Sequence, residues 1–296
     1  MIPVQFDYAA PESLEAAVKL LQENQTAQVL AGGYSVIQEL KQGGSRPSLV
    51  VDLRHVSGLK GITKAADGSI RIGAMTTYDQ AATAPDVQPY AAWCAAVGSI
   101  GDQQVRNWNA VGDTTAYRDL ACDLAAAALA TDAKFELSGP GGTRVVNASE
   151  FLVAPLGTAL APGEIVAAII LPATANSRSA YQRFIHPASR YTICGIAAAV
   201  SVGPDGNVSS CRLALASARS TVVRLTAAEA ALTGKAPTPE NIAAAAKAAA
   251  DTVVSEAATG SDNLSRLMAQ YAGSEYRAHL RSVLAERALT QAVAGL

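Results

Sequence analysis

The stretch AGGYSVIQEL, residues 31–40, places two adjacent glycines directly before a segment with helical periodicity. Glycine adopts left-handed backbone angles without steric cost and lets a ligand approach the main chain. Backbone N–H groups bared at the start of a helix favour an anion such as a phosphate. The stretch therefore predicts either an ordinary strand-to-helix turn or a phosphate-binding turn. A Gly-Gly pair alone favours the ordinary turn, because short glycine motifs often match by accident.

The composition is that of a globular protein large enough for two domains. The chain has 296 residues, half of them hydrophobic, and domains commonly contain about 100 to 200 residues. Its 23 basic and 25 acidic residues nearly balance, which argues against nucleic-acid binding and against a polybasic membrane patch. The sequence shows neither a membrane span nor a secretion signal. We therefore expect a soluble, cytoplasmic protein.

The cysteines and histidines show no metal-binding spacing, which argues against a zinc site or an iron–sulfur cluster held by this chain. We expect the cysteines to be buried free thiols. Ser35 has no histidine within sequence reach, so we interpret it as a hydrogen-bonding residue of the turn or of a phosphate site. The residues considered are Cys94, Cys122, Cys194 and Cys211, and His55, His186 and His279.

The order of predicted elements indicates an α+β protein in two domains. Strands and helices alternate over residues 1–57, which favours a small parallel sheet. Residues 58–175 contain short strands around the alanine-rich helix DLACDLAAAALATD, and complete a first domain over residues 1–175. Residues 176–296 form a second domain, with antiparallel strands SAYQRFI, TICGIAAAVSVG and VSSCRLALASA. Three predicted helices follow: TVVRLTAAEAALTG, TPENIAAAAKAAADTV and SDNLSRLMAQYAGSEYRAHLRSVLAERAL.

A second glycine segment, SIGDQQVRNWNAVGDTTAYRDLACDL, covers residues 99–124. Backbone amides around Gly112 and the hydroxyls of Thr114 and Thr115 suit phosphate oxygens, and Asp123 suits a ribose hydroxyl. Alternatively, Asp119 caps the helix and Asp123 faces solvent. The residues alone leave both interpretations open.

Together, AGGYSVIQELK, IGDQQVRNWNAVGD and AYRDLACDL resemble the FAD-binding medium subunit of the molybdenum hydroxylases. This family includes aerobic carbon monoxide dehydrogenase, nicotine and quinoline dehydrogenases, 4-hydroxybenzoyl-CoA reductase and the flavin domain of xanthine dehydrogenase. FDYAAPESLEAAVKLL, FLVAPLGTALAPGEIVAAIILP and GSEYRAHLRSVLAERAL also look like family segments, so the resemblance covers nearly the whole chain. It implies a two-part FAD-binding domain of the vanillyl-alcohol-oxidase (PCMH) type, followed by a smaller C-terminal α+β domain.

The resemblance implies that both glycine segments close over one FAD. The turn 31–36 would hold the pyrophosphate by its backbone amides, and Asp123 would face the adenosine ribose. Ile165 or Val166 would lie against the isoalloxazine, and Arg183 would stand near the flavin or be a solvated strand charge. The implied cofactor-binding residues are Ala31, Gly32, Gly33, Tyr34, Ser35, Val36, Gly112, Asp113, Thr114, Thr115, Tyr117, Asp123, Ile165, Val166 and Arg183.

The sequence departs from the family pattern inside these loops. Tyr34 replaces a usual histidine, Trp108 and Asn109 replace an Arg-Gly pair, and Asp113 replaces a glycine. A carboxylate beside a pyrophosphate repels it by an amount on the order of a few kcal/mol at low effective dielectric, unless it points outward or caps the turn. Trp108 either stacks on a ring or packs. FAD bound with altered contacts is favoured over a shifted flavin environment or a lost flavin.

The resemblance also implies partners and a role. A large subunit would carry a molybdenum-pterin cofactor, a small subunit would carry [2Fe–2S] clusters, and the assembly would be a dimer of heterotrimers. Electrons would reach FAD on this chain and leave to a quinone, a cytochrome or NAD, with no catalytic side chain required here. The alternatives are a structural subunit of the same complex and a stand-alone flavoprotein oxidase.

Overall fold

A computed structural model describes residues 2, 4–116, 123–152, 159–174, 177–217, 220–252 and 271–294, with only the backbone described at residues 114–116, 217, 220 and 221. Its strands form three sheets. Within these ranges, no helix combines the length and the apolar character that crossing a membrane requires.

The N-terminal part is the predicted parallel sheet. Its strands lie in the order β1-β3-β2, with both neighbouring pairs parallel. The sequence had indicated β2 and β3 but not β1, which has three residues. Ser13 caps the first helix as expected, because its Oγ accepts the Ala16 N–H at 3.1 Å. The elements are β1 Asp7–Ala9, α1 Leu14–Glu23, β2 Gln28–Leu30, α2 Tyr34–Gln42 and β3 Leu49–Asp52.

The described residues of the second part form a five-stranded antiparallel sheet, in the order β4-β5-β8-β6-β7, with six α-helices around it. Helix α7 is buried along its entire described length, as expected for a helix whose residues are all apolar except Asp123. The elements are β4 Ile62–Lys64, β5 Ile70–Gly73, α3 Tyr78–Thr83, α4 Ala91–Gly98, α5 Gln103–Trp108, α6 Val111–Ala116, α7 Asp123–Ala130, β6 Lys134–Gly139, β7 Gly142–Asn147, α8 Ala148–Phe151 and β8 Ile165–Leu171.

The described residues of the C-terminal part form a four-stranded antiparallel sheet in the order β12-β11-β10-β9, together with three helices. Residues 253–270, which include the start of the predicted long helix, lie outside the described ranges. The elements are β9 Ser177–Ile185, β10 Thr192–Val202, β11 Val208–Ser217, β12 Ser220–Arg224, α9 Thr226–Leu232, α10 Pro239–Asp251 and α11 Ser274–Ala294.

One helix prediction is wrong at its start. The segment TVVRLTAAEAALTG was expected to be helical throughout, but its first residues belong to β12 and the helix begins at Thr226. The Thr-Val-Val run is β-branched and pairs with β11, Val223 lying opposite Leu215. The neighbouring prediction is confirmed, since Thr238 Oγ1 accepts the Asn241 N–H at 3.3 Å and Pro239 opens α10.

The C-terminal sheet packs helices on both faces. Ala197 of β10 lies in one apolar cluster with Leu124 of α7, whereas its neighbour Ile196 lies in a second cluster with Leu284 of α11. This alternation is the period of two expected for a strand. One face of the sheet therefore rests on the first domain at α7. The chain passes from the second sheet to the C-terminal sheet between Leu171 and Ser177. Residue 175 lies outside the described ranges, and the domain boundary there stays a prediction.

Candidate functional site

The glycine turn joins β2 to α2 and needs both of its glycines. Gly32 has φ +86° and Gly33 has φ +99°, which are left-handed angles that side chains rarely adopt. A Cβ on Gly32 would lie 2.7 Å from the Asn109 Cα. The turn is therefore pressed against the second glycine segment, and the two predicted cofactor segments meet in the fold.

Ser35 lies in the first turn of α2 and offers two polar groups. Its backbone N–H donates to Asp113 Oδ2 at 2.9 Å. Its Oγ is buried, and the described residues supply no hydrogen-bond partner for it. Buried hydroxyls nearly always have a partner, so this oxygen marks a place where a ligand atom would complete the site.

Asp113 points into the turn, not outward. It lies in α6, is 4% exposed, and its carboxylate accepts the Ser35 N–H. Gly33, the N-cap residue of α2, has no side chain to cap that helix. Asp113 therefore caps α2 from a distant segment, and its charge lies at the positive end of the helix dipole.

Gly112 serves close packing in addition to its predicted place near the phosphates. Its N–H donates to the Ala74 carbonyl at 2.8 Å, and a Cβ here would lie 2.7 Å from the Ala74 Cβ. The Gly112 N–H is therefore used within the protein, and the place of Gly112 near the phosphates stays a prediction. Thr114 and Thr115 lie in α6, but their side chains are outside what the structure describes, as is the whole of Tyr117. Their contacts stay predictions.

Trp108 lies over the glycine turn. Its indole is 66% exposed, and Nε1 donates to the Gly32 carbonyl at 3.0 Å. The ring is therefore not part of the protein interior, and whether it stacks on a ligand ring stays a prediction. Its neighbour Asn109 is buried and donates from Nδ2 to the Val105 carbonyl at 3.0 Å, which fixes the backbone that Gly32 contacts.

Asp123, at the described start of α7, joins the two domains. Its Oδ1 accepts the Tyr181 hydroxyl at 2.5 Å, and its Oδ2 accepts Arg183 Nη1 at 2.9 Å and Thr192 Oγ1 at 3.0 Å. Burial raises the pKa of Asp123, and these three donors oppose that shift. Arg183 also donates to the Ser99 carbonyl at 2.8 Å.

These contacts revise two expectations. Asp123 is 4% exposed and does not face solvent, and Arg183 is an ion-pair partner, not a solvated strand charge. The structure brings both predicted site residues together, although a ribose contact of Asp123 stays a prediction. Tyr181 and Thr192 were not predicted. The alternation in YQRF places Tyr181 on the same strand face as Arg183, and that signal pointed to the tyrosine.

The remaining predicted residues form apolar walls. Ile165 and Val166 are 3% and 2% exposed at the start of β8. Ile165 lies in one apolar cluster with Ala31 of the turn, and Val166 in the main cluster, against which Tyr34 also packs. Val36 is buried against Leu40, Val50 and Phe6. A contact of Ile165 or Val166 with an isoalloxazine stays a prediction.

Three cysteines are buried or half-buried free thiols, as expected, and Cys122 lies outside the described residues. Burial raises the pKa of Cys94 to about 11, and those of Cys194 and Cys211 each to about 12. Among the residues that the structure describes, no cluster of histidine, cysteine and carboxylate side chains could hold a metal ion.

Fold and site define a class of protein: a dinucleotide-binding domain built on a left-handed double-glycine turn, with a C-terminal α+β domain docked on it. Residues 4–174 match the sequence model described as "FAD binding domain in molybdopterin dehydrogenase", and residues 179–292 match "CO dehydrogenase flavoprotein C-terminal domain". The chain belongs to the family of FAD-binding medium subunits of molybdenum hydroxylases.

Three similar proteins illustrate this membership. The 6-hydroxypseudooxynicotine dehydrogenase complex subunit alpha of Paenarthrobacter nicotinovorans is 31% identical over 99% of this chain and 96% of that protein. The carbon monoxide dehydrogenase medium chain of Hydrogenophaga pseudoflava is 35% identical over 84% of this chain and 87% of that one. A solved carbon monoxide dehydrogenase from H. pseudoflava, lacking the Mo-pyranopterin moiety, superposes with a TM-score of 0.87, at 33% identity and 99% coverage of both chains. The expected fold is confirmed.

Proposed function

We propose that this chain is the flavin-carrying electron-transfer subunit of a heteromeric molybdenum hydroxylase, placed between [2Fe–2S] clusters on a partner and an external acceptor. The observation that carries the proposal is the glycine turn 31–36. It presents the start of a helix beside Ser35 Oγ, a buried oxygen for which the described residues supply no hydrogen-bond partner.

The turn fits a pyrophosphate in its backbone and its helix. Gly32 and Gly33 keep side chains away from the main chain, and the first amides of α2 have no partner within the helix. Asp113 fits less well, because its carboxylate uses the Ser35 amide. We infer that the turn, Ser35 and the second glycine segment hold FAD with altered contacts.

The surrounding residues fix this site in place. Asn109 and Gly112 hold the second segment against the turn and against Ala74. Asp123 and Arg183 tie the C-terminal sheet to α7, and Ile165 and Ala31 share the apolar cluster beneath the turn. When bound, FAD supplies the redox chemistry, since it exchanges electrons singly or in pairs. The chain itself binds, orients and shields the cofactor.

The proposed partners are a large molybdenum-pterin subunit and a small [2Fe–2S] subunit, assembled as a dimer of heterotrimers in the cytoplasm. The similar chains named above are called a complex subunit and a medium chain, which supports a multi-subunit assembly. The described cysteines are isolated thiols with raised pKa values, so we place the iron–sulfur clusters on another chain.

Purification through an affinity tag on this chain, from its native cell, tests the proposal. We expect two partner chains, with molybdenum, iron and FAD in the complex, and flavin that is reduced when an oxidisable substrate is added without air. Turnover of a substrate by this chain alone would favour a stand-alone flavoprotein. An intact complex without flavin would favour the structural subunit.

A further inference from the structure

We propose that the carboxylate of Asp113 is an internal anion that occupies the helix end of the glycine turn and competes there with the pyrophosphate of FAD. The inference rests on the proposed flavin role of the turn and specifies how this chain regulates that site. It assigns to a single side chain both the capping of α2 and a weakened affinity for FAD.

Asp113 contacts the first turn of α2 directly. Asp113 Oδ2 accepts the Ser35 N–H at 2.9 Å across 78 residues of sequence. Ser35 is the second residue of α2, so its N–H is one of the amides that a helix leaves without an internal acceptor. Most helices satisfy such an amide with the N-cap side chain, which Gly33 lacks. The Asp113 carboxylate takes that role.

A phosphate seeks the same donors. Anions bind at helix N-termini through these first amides and the positive end of the dipole. The Ser35 N–H cannot satisfy the Asp113 carboxylate and a phosphate oxygen fully at once. A phosphate and a carboxylate beside the same N–H also repel each other strongly where solvent is scarce, and Asp113 is 4% exposed. Binding of the pyrophosphate therefore requires that the carboxylate be displaced.

The two residues before Asp113 are held in place by backbone hydrogen bonds. The Val111 N–H donates to the Thr76 carbonyl at 3.0 Å, and the Gly112 N–H donates to the Ala74 carbonyl at 2.8 Å. Gly112 has no space for a Cβ against Ala74. Displacement is consequently a rotation of the Asp113 side chain.

Dissociation constants for FAD and for riboflavin, measured on the full chain stripped of flavin, test the competition. The variants are Asp113→Asn, which keeps an acceptor for Ser35 but removes the charge, and Asp113→Gly, which removes both. Asp102→Asn is the matched control, because Asp102 Oδ1 also caps a helix, accepting the Val105 N–H at 2.8 Å, but on an exposed segment. Riboflavin controls for the flavin ring, since it lacks the phosphates.

We expect both Asp113 variants to bind FAD about tenfold more tightly than the natural chain, or more, with riboflavin affinity and the Asp102→Asn variant unchanged. Without flavin, Asp113→Gly should melt at a lower temperature than Asp113→Asn, because α2 loses its acceptor. If Asp113→Gly does not fold, the Asp113→Asn measurement decides. FAD binding by the variants with none by the natural chain would also support the inference.

Other outcomes overturn it. Equal FAD affinity in all four proteins, or weaker binding by Asp113→Asn, would leave the proposed flavin role intact and refute the competition alone. Absence of FAD binding from every protein, with the fold intact, would contradict the proposed function and the inference together.

Discussion

Gly32 and Asn109 are in contact because one of them has no Cβ. Their separation in the chain is long, yet the space between the Gly32 backbone and the Asn109 Cα admits no side-chain atom. Trp108 closes the same place from outside through its bond to the Gly32 carbonyl. The geometry of the glycine turn thus depends on a few residues from two distant segments.

Replacement of Gly32 by alanine should abolish or strongly reduce FAD binding. The left-handed angle alone costs about 1–2 kcal/mol for a residue with a Cβ, and the contact at 2.7 Å with Asn109 forces the segments apart. Gly43→Ala is the matched control, since Gly43 has φ +76° with nothing within 4 Å of a Cβ. Flavin content and melting temperature are measured for both. Full flavin content in Gly32→Ala would contradict this role for the turn.

The two tryptophans allow a second comparison. Both donate their indole N–H to a carbonyl, Trp108 at 3.0 Å on the surface and Trp93 at 2.9 Å in the core. Trp108→Phe should change stability by less than about 1 kcal/mol and weaken FAD binding, whereas Trp93→Phe should destabilise the fold without a specific effect on FAD. Urea unfolding and flavin titration separate the two effects. The same FAD affinity in both variants would argue against a role for Trp108 at the turn.

How far residues could be predicted depended on sequence separation. The glycine turn could be predicted because its signal is local, whereas the Ser35–Asp113 bond joins residues 78 positions apart, and no periodicity reports such a pairing. The sequence left the direction of the Asp113 side chain open for that reason. Arg183 and Asp123 were both predicted as site residues, but their ion pair spans 60 residues, and neither segment alone indicates it.

Among the elements, α7 and β9 share the buried polar group that links the domains. Asp123 on the helix meets Tyr181 and Arg183 on the strand, within an interface of alanines and leucines. Burial is the main reason that the pKa of Tyr181 is raised well above 10, and the nearby Asp123 raises that pKa further. The tyrosine therefore keeps its proton and donates a hydrogen bond at neutral pH. This bond joins β9 of the C-terminal sheet to α7.

Replacement of Tyr181 by phenylalanine should loosen this contact. Loss of one donor to a buried carboxylate costs about 1–3 kcal/mol, and hydrogen exchange along β9 and β10 should accelerate. The lost hydroxyl favoured the charged carboxylate, so the deficit should be largest at neutral pH. It should shrink as the pH falls through the raised pKa of Asp123.

Tyr90→Phe provides the control for that experiment. Tyr90 donates its hydroxyl to the Pro172 carbonyl at 2.7 Å within the first domain. It should lose a similar amount of stability but leave exchange in the C-terminal sheet unchanged. If both variants accelerated hydrogen exchange in β9 and β10 equally, a specific role of Tyr181 in the contact between the domains would be refuted.

Elements with strong local patterns were predicted well, and weakly patterned elements were not. The parallel sheet, the alanine-rich helix and the long hairpin strands follow from periodicity and capping residues. Strand β1 has three residues, too few for a pattern. Strand β12 precedes an alanine-rich helix directly, and its β-branched residues become a strand only because β11 offers an edge to pair with.

Over the full chain, the C-terminal sheet has helices on both faces, with α7 on one and α10 and α11 on the other. The glycine turn lies in the first domain. The second domain contacts α7 through Arg183 and Thr192, which donate to Asp123. Among the described residues, the two domains are joined by the apolar cluster around α7 and by polar contacts of Asp123 and Arg183.

The flavin content of the complex purified through this chain is the most direct test of the proposed flavin-carrying role. The visible absorption spectrum is recorded, the protein is denatured, and the released flavin is identified and quantified. We expect about one FAD per chain, held at the glycine turn despite Asp113. An intact complex that releases no flavin would contradict it, and the turn would then be only a structural contact between the two glycine segments.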